Sequence, residues 1–241
     1  MATAKRDKLK LLITASKPGA PLDTADLQAR GISVDLASYY VRAGWLTRLA
    51  HGVYGRAGDT LSLHPSLVFL QRTIAGLHVG GKSALDWYGV RHYVAQHPVL
   101  QLYGWTTAQL PAWFTGRFPA HYRRKRLFDE RPETLLHAGP FESRADAPEV
   151  SSPERAFLEV LSEVGTRQPL PEARELAEST YTARAKVMRE LLQRCRSVKT
   201  RRLALKLGRE LSLSWFAKLE PALHERTSRV ARSSGAQTRK P

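Results

Sequence analysis

Between Lys5 and Lys17, Leu9, Leu12 and Ile13 recur at helical spacing and predict an amphipathic first helix, which Pro18-Gly19-Ala20-Pro21 breaks. Asp23 or Thr24 caps a second, short helix through Ala29, ended by Gly31, with Leu27 on its buried side. Ser33 caps a third, running to Ala43 and stopped by Gly44. On that helix Leu36 and Tyr40 fall on one side with Ala43 one turn on, while Asp35, Ser38, Tyr39 and Arg42 fall largely on the other. Trp45–Leu49 reads as a strand, Ala50-His51-Gly52 as a turn and Val53-Tyr54 as the returning strand.

Helix, helix, tight turn, helix and hairpin is the order of a winged helix-turn-helix. In that arrangement the inward face of the third helix fixes it to the first two, and its outward polar face can enter a major groove. The candidate DNA-contacting residues are Asp35, Ser38, Tyr39 and Arg42 on the third helix, with Arg48, His51 and Arg56 around the hairpin. Arg42 can reach bases or phosphates, and Ser38 and Tyr39 can hydrogen-bond. Asp35 counts against the assignment, because its charge repels phosphate. A winged helix used for protein contacts alone would carry the same pattern.

Further along, Pro65–Gly76 predicts a helix with Leu67, Phe69, Leu70 and Ile74 available for burial, and Ser83–Tyr88 another. Val99–Tyr103, His121–Phe128 and Leu135–Phe141 read as strands, and Arg123-Arg124-Lys125-Arg126 is the densest basic run among them. Ala147–Ser151 resembles a linker. Ser152 caps the next helix with Pro153 at its first position; its stripe is Phe157, Leu158, Leu161 and Val164, with Gly165 at its end. Leu170–Ser179 follows, then a helix capped by Thr182 with Val187, Met188, Leu191, Leu192 and Cys195 inward. Another runs from about Val198 to Arg209 with Leu203 and Leu207 inward, and Leu213–Leu219 closes the bundle. The expected fold is α+β and mostly helical. It comprises a winged helix-turn-helix (1–60), a mixed α/β middle region (61–150), a helical basic domain (151–223) and a disordered basic tail (224–241).

Charge changes the picture. The 241 residues hold 38 Lys plus Arg against 22 Asp plus Glu, a net of +16. Residues 183–241 alone hold 16 basic against 4 acidic, a net of +12. Such a surface attracts polyanions and favours the DNA reading of the winged helix. The outward positions of the last helices supply Lys186, Arg189, Arg194, Arg196, Lys199, Arg201, Arg202, Lys206 and Arg209, a basic surface for nucleic acid or an acidic partner. No apolar run approaches the ~20 residues of a membrane helix. Met1–Asp7 lacks the apolar stretch of a secretory signal, so a soluble cytoplasmic protein without membrane association is expected.

Enzymatic chemistry is not visible. The single cysteine, Cys195, excludes an intramolecular disulfide and paired-thiolate zinc sites, and its spacing fits a buried helix face. The eight histidines show no metal spacing, and no metal or cofactor is expected. Gly76–Ser83 fits the phosphate-loop pattern G-x-x-x-x-G-K-S, which works between a buried strand and a helix. Here the preceding residues read as a helix, so glycine turns between two helices are expected, with a nucleotide-binding loop as the alternative.

Three ordered segments carry a family resemblance. Gly31-Ile32-Ser33, Gly44-Trp45-Leu46 and Arg48-Leu49-Ala50-His51-Gly52-Val53-Tyr54 resemble the N-terminal domain of AbiEi-family antitoxins. His78–Leu85 resembles the segment after that family's winged helix, and Ser152–Ala156 with Cys195–Lys199 resembles its C-terminal antitoxin domain. The resemblance spans roughly residues 5–220, and the chain's end departs from the family's usual one. It implies a transcriptional repressor of its own operon that binds double-stranded operator DNA and counteracts a cognate nucleotidyltransferase toxin. The alternatives are a plain winged-helix regulator without a toxin, and a phosphate-loop NTPase or nucleic-acid-processing enzyme.

Overall fold

The computed structural model describes residues 2–90, 99–129, 147–180 and 182–219, with side chains from Asp7 onward. Two compact units interleave along the chain. One gathers the described residues of 1–79, 97–125 and 136–150, the other those of 80–96, 126–135 and 151–241. Residues of the 61–150 segment therefore occur in both. The Leu135–Phe141 strand and the 224–241 tail expected from sequence lie outside the described residues.

The first unit begins with α1 (Ala2–Ala15), β1 (Leu22–Asp23), α2 (Thr24–Gln28), α3 (Val34–Arg42), β2 (Leu46–Ala50) and β3 (Val53–Arg56). The strands form an antiparallel sheet in the order β1-β3-β2. β1 is absent from the sequence reading because two residues carry no alternation; pairing of Leu22 with Tyr54 makes them a strand. Asp23 caps α2 reciprocally: the Asp26 N–H donates to Asp23 Oδ1 at 2.7 Å and the Asp23 N–H to Asp26 Oδ2 at 3.0 Å. Leu9, Leu12, Leu22, Leu27, Ile32, Ala37, Tyr40, Leu46 and Tyr54 close one core, with Ile13, Leu36 and Val41 packed on it. Every element of the winged helix contributes to that core.

The same unit continues into α4 (Leu63–Gln71), which starts two residues earlier and ends five earlier than the sequence predicts. Ile74 is buried beyond its end. Arg72, just past α4, donates to both Asp26 carboxylate oxygens at 3.0 Å and so ties α4 to α2. A second sheet, β4 (His78–Val79), β5 (Leu100–Gly104) and β6 (Ala120–Arg124), pairs β4 with β5 antiparallel and β5 with β6 parallel. A single helical turn, Ala112–Thr115, lies in the β5–β6 crossover. β6 stops at Arg124, so only two residues of the basic run are on the strand. Arg123 lies over the Tyr103 ring and Arg124 donates to Thr107 Oγ1.

The second unit comprises α5 (Gly81–Trp87), α6 (Pro153–Ser162), α7 (Leu170–Ser179), α8 (Ala185–Arg194), α9 (Val198–Glu210) and a closing turn, Ser214–Ala217. Ser152 caps α6 with Pro153 at its first position, as the sequence predicts. The expected stripe, Phe157, Leu158, Leu161 and Val164, is buried, but burial is not confined to it. Glu154 through Leu161 are all buried, including Arg155 and Glu159. Those charges are answered internally: Arg155 Nε donates to Glu159 Oε1 at 2.9 Å, Ser151 Oγ donates to the same carboxylate, and the Arg155 guanidinium lies 4.9 Å from the Phe128 ring centroid.

Glu154 explains a second departure. Arg184, not Thr182, is the N-cap of α8, because its backbone N–H and guanidinium all donate to the Glu154 carboxylate at 2.8–3.0 Å. Cys195 is buried at the end of α8, where it bridges to Phe128. On α9, which starts at Val198 as expected, Ser197 is the N-cap, its Oγ accepting from the Thr200 N–H; Thr200, Ala204, Leu207 and Gly208 face inward, with Leu203 only half-buried. Gly208 is required there. A Cβ would meet the Trp215 ring at 2.8 Å and Phe216 at 2.9 Å.

Burial opposes ionisation of Glu154, but the hydrogen bonds and charge of Arg184 outweigh it and hold the carboxyl below its ordinary value of 4.5. A depressed folded value means stability that is present above pH 4.5 and lost as pH falls through the folded value. Arg184→Ala is expected to cost about 1–3 kcal/mol at pH 7, since it strips donors from a buried carboxylate. The deficit relative to the parent protein should shrink as pH is lowered through 4.5, as urea unfolding across pH will check.

Candidate nucleic-acid interface

α3 is built to a fixed length. At its start the Leu36 N–H donates to Ser33 Oγ at 3.2 Å. At its end the Gly44 N–H reaches Val41 O at 3.1 Å and the Trp45 N–H reaches Tyr40 O at 2.9 Å, a Schellman closure with Gly44 at φ +74°. Gly31 closes α2 in the same way, its N–H on Gln28 O and that of Ile32 on Leu27 O. Residues 29–33 make the turn between the two helices, and Ile32 is buried in it.

The inward face is Ala37 and Tyr40, both buried, with Leu36 half-buried beside them. Ala43, expected inward, is exposed, because the helix has already ended and the chain is turning at Gly44. On the opposite side Asp35, Tyr39 and Arg42 are exposed and Ser38 is half-buried. At 3.6 residues per turn these four occupy an arc of about 100°. Their common face is as the sequence predicts.

At the hairpin, Arg48 and His51 are exposed and line a shallow depression with Leu49 and Ala50. Gly52 turns the tip at φ +71°, and the register slips between Arg48 and Ala50. Arg56 differs from these two. Its guanidinium bonds Asp59 at 3.5 Å and Ser16 O at 3.4 Å, so it braces the loop after β3 against the end of α1. Two exposed apolar residues are not among the expected contact residues: Val34 at the first position of α3, and Trp45, expected to open the strand but lying just before β2. Their signal was positional: each immediately adjoins a cap or stop residue.

In the second unit, Lys199, Arg202, Lys206 and Arg209 share one face of α9, about 15 Å long. Arg201 points elsewhere and is half-buried. Several of the nine basic residues have partners. Arg194 pairs with Glu190 at 3.0 Å, Arg196 with Asp129 at 3.5 Å and Lys206 with Glu210 at 3.7 Å. Lys199 Nζ donates to Val164 O at 2.7 Å, Arg189 donates to Lys218 O at 3.3 Å, and Arg209 lies over the Phe216 ring. Lys186 and Arg202 are exposed.

The phosphate-loop pattern has a different environment from the one the sequence suggests. A buried two-residue strand, His78–Val79, precedes Gly80 directly, and Gly76 turns the chain at φ +69° against the Trp105 ring. α5 follows from Gly81. The anion at its start is the protein's own: the Gly81 N–H donates to Glu159 Oε2 at 2.9 Å. Lys82 Nζ is bonded to Glu172 Oε1 at 2.9 Å. Among the described residues no group of three or more His, Cys, Asp and Glu could hold a metal ion, and no helix is long and apolar enough to cross a membrane.

No curated protein matches the sequence. A crystal structure of the RV2827C protein from Mycobacterium tuberculosis superposes with a TM-score of 0.56 at 16% identity, over 90% of this chain and 82% of that one, and so shares its fold. Residues 5–96 match the family described as transcriptional regulator, AbiEi antitoxin N-terminal domain. Residues 97–237 match the one described as transcriptional regulator, AbiEi antitoxin, type IV TA system. The chain belongs to the AbiEi antitoxin family, the transcriptional regulators of type IV toxin–antitoxin systems.

Proposed function

We propose that the protein acts in the cytoplasm, binds double-stranded operator DNA through α3 and the β2–β3 hairpin, and represses its own operon. It counteracts a nucleotidyltransferase toxin encoded beside it. The observation that carries the DNA half is the two-sidedness of α3: Ala37 and Tyr40 lock it into the core while Asp35, Ser38, Tyr39 and Arg42 share the exposed side. Arg48 and His51 of the hairpin are exposed and supply its contacts to the flanking backbone in this reading. The net charge of +16 supports association with a polyanion. The family's description as an antitoxin supports the second half.

We read the phosphate-loop pattern as structural and the protein as a binding protein rather than an enzyme. A loop whose first helical amide and lysine are both committed to internal carboxylates offers a phosphate neither.

In gel-shift titrations the protein should prefer its own promoter, and log Kd should rise steeply with log salt, by about 0.9 per phosphate neutralised. Arg42→Ala should weaken promoter binding more than binding to unrelated DNA if the side chain reads a base. Joint replacement of Ser38, Tyr39 and Arg42 by Ala should abolish repression of a promoter reporter and leave protection from the toxin intact. A folded triple variant that no longer protects cells would overturn the division of labour.

Calorimetric titration with ATP and magnesium should show no saturable binding at millimolar nucleotide. Lys82→Ala should shift stability by less than about 1 kcal/mol, because its ion pair is partly exposed. Gly81→Val should destabilise more, since Gly81 sits at φ +53°. Saturable nucleotide binding lost in Lys82→Ala would restore the NTPase alternative.

A further inference from the structure

We propose that Asp35 selects cytosine, accepting a hydrogen bond from its N4 amino group in the major groove; this rests on the reading of α3 as the DNA-contacting helix. Asp35 is in the first turn of α3, the end that meets base edges when such a helix enters the groove. It shares one face with Ser38, Tyr39 and Arg42 and is exposed. Within the same winged helix the acidic side chains of Asp23, Asp26 and Asp59 each pair with an arginine, and the other exposed carboxylate, Asp7, is on α1 and not on the α3 face. Asp35 has no ion pair or hydrogen bond to its side chain among the described residues. Its charge therefore faces whatever docks on α3.

A carboxylate only accepts hydrogen bonds. Brought against a duplex it is repelled by phosphate and by the N7, O6 and O4 acceptors of the major groove. The groove offers two donors, adenine N6 and cytosine N4. Adenine N6 is flanked by acceptors on both sides, N7 of its own base and O4 of the paired thymine. Cytosine N4 has an acceptor on one side, the paired guanine O6, and the apolar C5–H edge on the other. The carboxylate thus has one well-matched base, and every alternative leaves it desolvated beside acceptors. Asp35 works as much by penalising other sequences as by rewarding cytosine.

The position also suits a purely local role, because a negative charge in the first turn complements the helix dipole. That role predicts a change in stability alone. The two are separable, because base selection must alter sequence preference, and must do so in the direction of looser binding to the wrong DNA.

The full-length protein, Asp35→Ala and Asp35→Asn are each used to select binding sites from random-sequence duplexes, with thermal melting as a control on folding. The parent protein is expected to enrich a C·G pair at one position per bound α3, preferred about tenfold or more over other pairs. Asp35→Ala should flatten that position to within about twofold while the other positions persist, and should bind unrelated duplex more tightly than the parent does. Asp35→Asn should shift the position toward A·T, since an amide matches adenine N6 and N7. N4-methylcytosine at the position keeps base pairing but fills the groove-facing donor, so it should weaken the parent about tenfold and Asp35→Ala hardly at all. If the parent selects a sequence and Asp35→Ala selects the same one, the assignment of Asp35 fails while the DNA reading stands. If the parent selects no sequence, both fail.

Discussion

Nine residues of helix are too few to hold together in water, so α3 exists because something outside it fixes both its ends and its inner face. Ser33 and the Gly44 closure set the ends; Ala37 and Tyr40 set the face. Tyr40 is buried among residues drawn from α1, α2, β1, β2 and β3, so the whole winged helix is recruited to orient two and a half turns. Of the four residues on the other side, Asp35 and Arg42 inherit that orientation, while Ser38 is half-buried and the Tyr39 ring lies 6.0 Å from that of Tyr40. A groove-reading surface needs this separation, because side chains free to vary with the DNA sequence cannot also be needed for packing.

The second unit solves a different problem. Its central helix, α6, is surrounded by packed elements yet carries Glu154, Arg155 and Glu159 on its buried surface. Glu154 is satisfied by the start of α8, and Glu159 by Arg155 one turn back on α6 together with Ser151 and the first amide of α5. These contacts fix where two helices begin. The phosphate-loop pattern follows from the same constraint. A glycine at positive φ brings the α5 amide close to a buried carboxylate, and a phosphate site needs the same glycine for a different anion.

Local chemistry was legible in the sequence. Asp23, Ser33 and Ser152 each cap a helix where expected, and Pro153 takes the first position of α6. The outward face of α3 was legible for the same reason, since helical spacing alone assigns it. What escaped depends on partners distant in sequence. β1 is a strand because Tyr54 is opposite Leu22, and α8 starts at Arg184 because Glu154 is there to receive it. Arg56, grouped by proximity with Arg48 and His51, is drawn inward by Asp59 and Ser16. No periodicity announces that Glu159 is buried, because burial of a charge is decided by its answering donors and not by its spacing.

The fate of the acidic residues bears on the charge of the surface. Glu154, Glu159 and Glu163 are buried, so part of the minority charge is withdrawn from the exterior of a chain that already carries +16. The basic residues of α9 are not all unpartnered, yet pairing with a backbone carbonyl or a ring leaves their charge in place: Lys199 on Val164 O and Arg209 over Phe216 still present full positive charge. Among the described residues, only Lys206, beside Glu210, is locally offset on that face. A long-range field depends on net charge and its position, not on whether each cation is free to form a contact. The same contacts that hold α9 therefore keep Lys199 and Arg209 fixed, and fixed cations lose less entropy on meeting a polyanion than mobile ones.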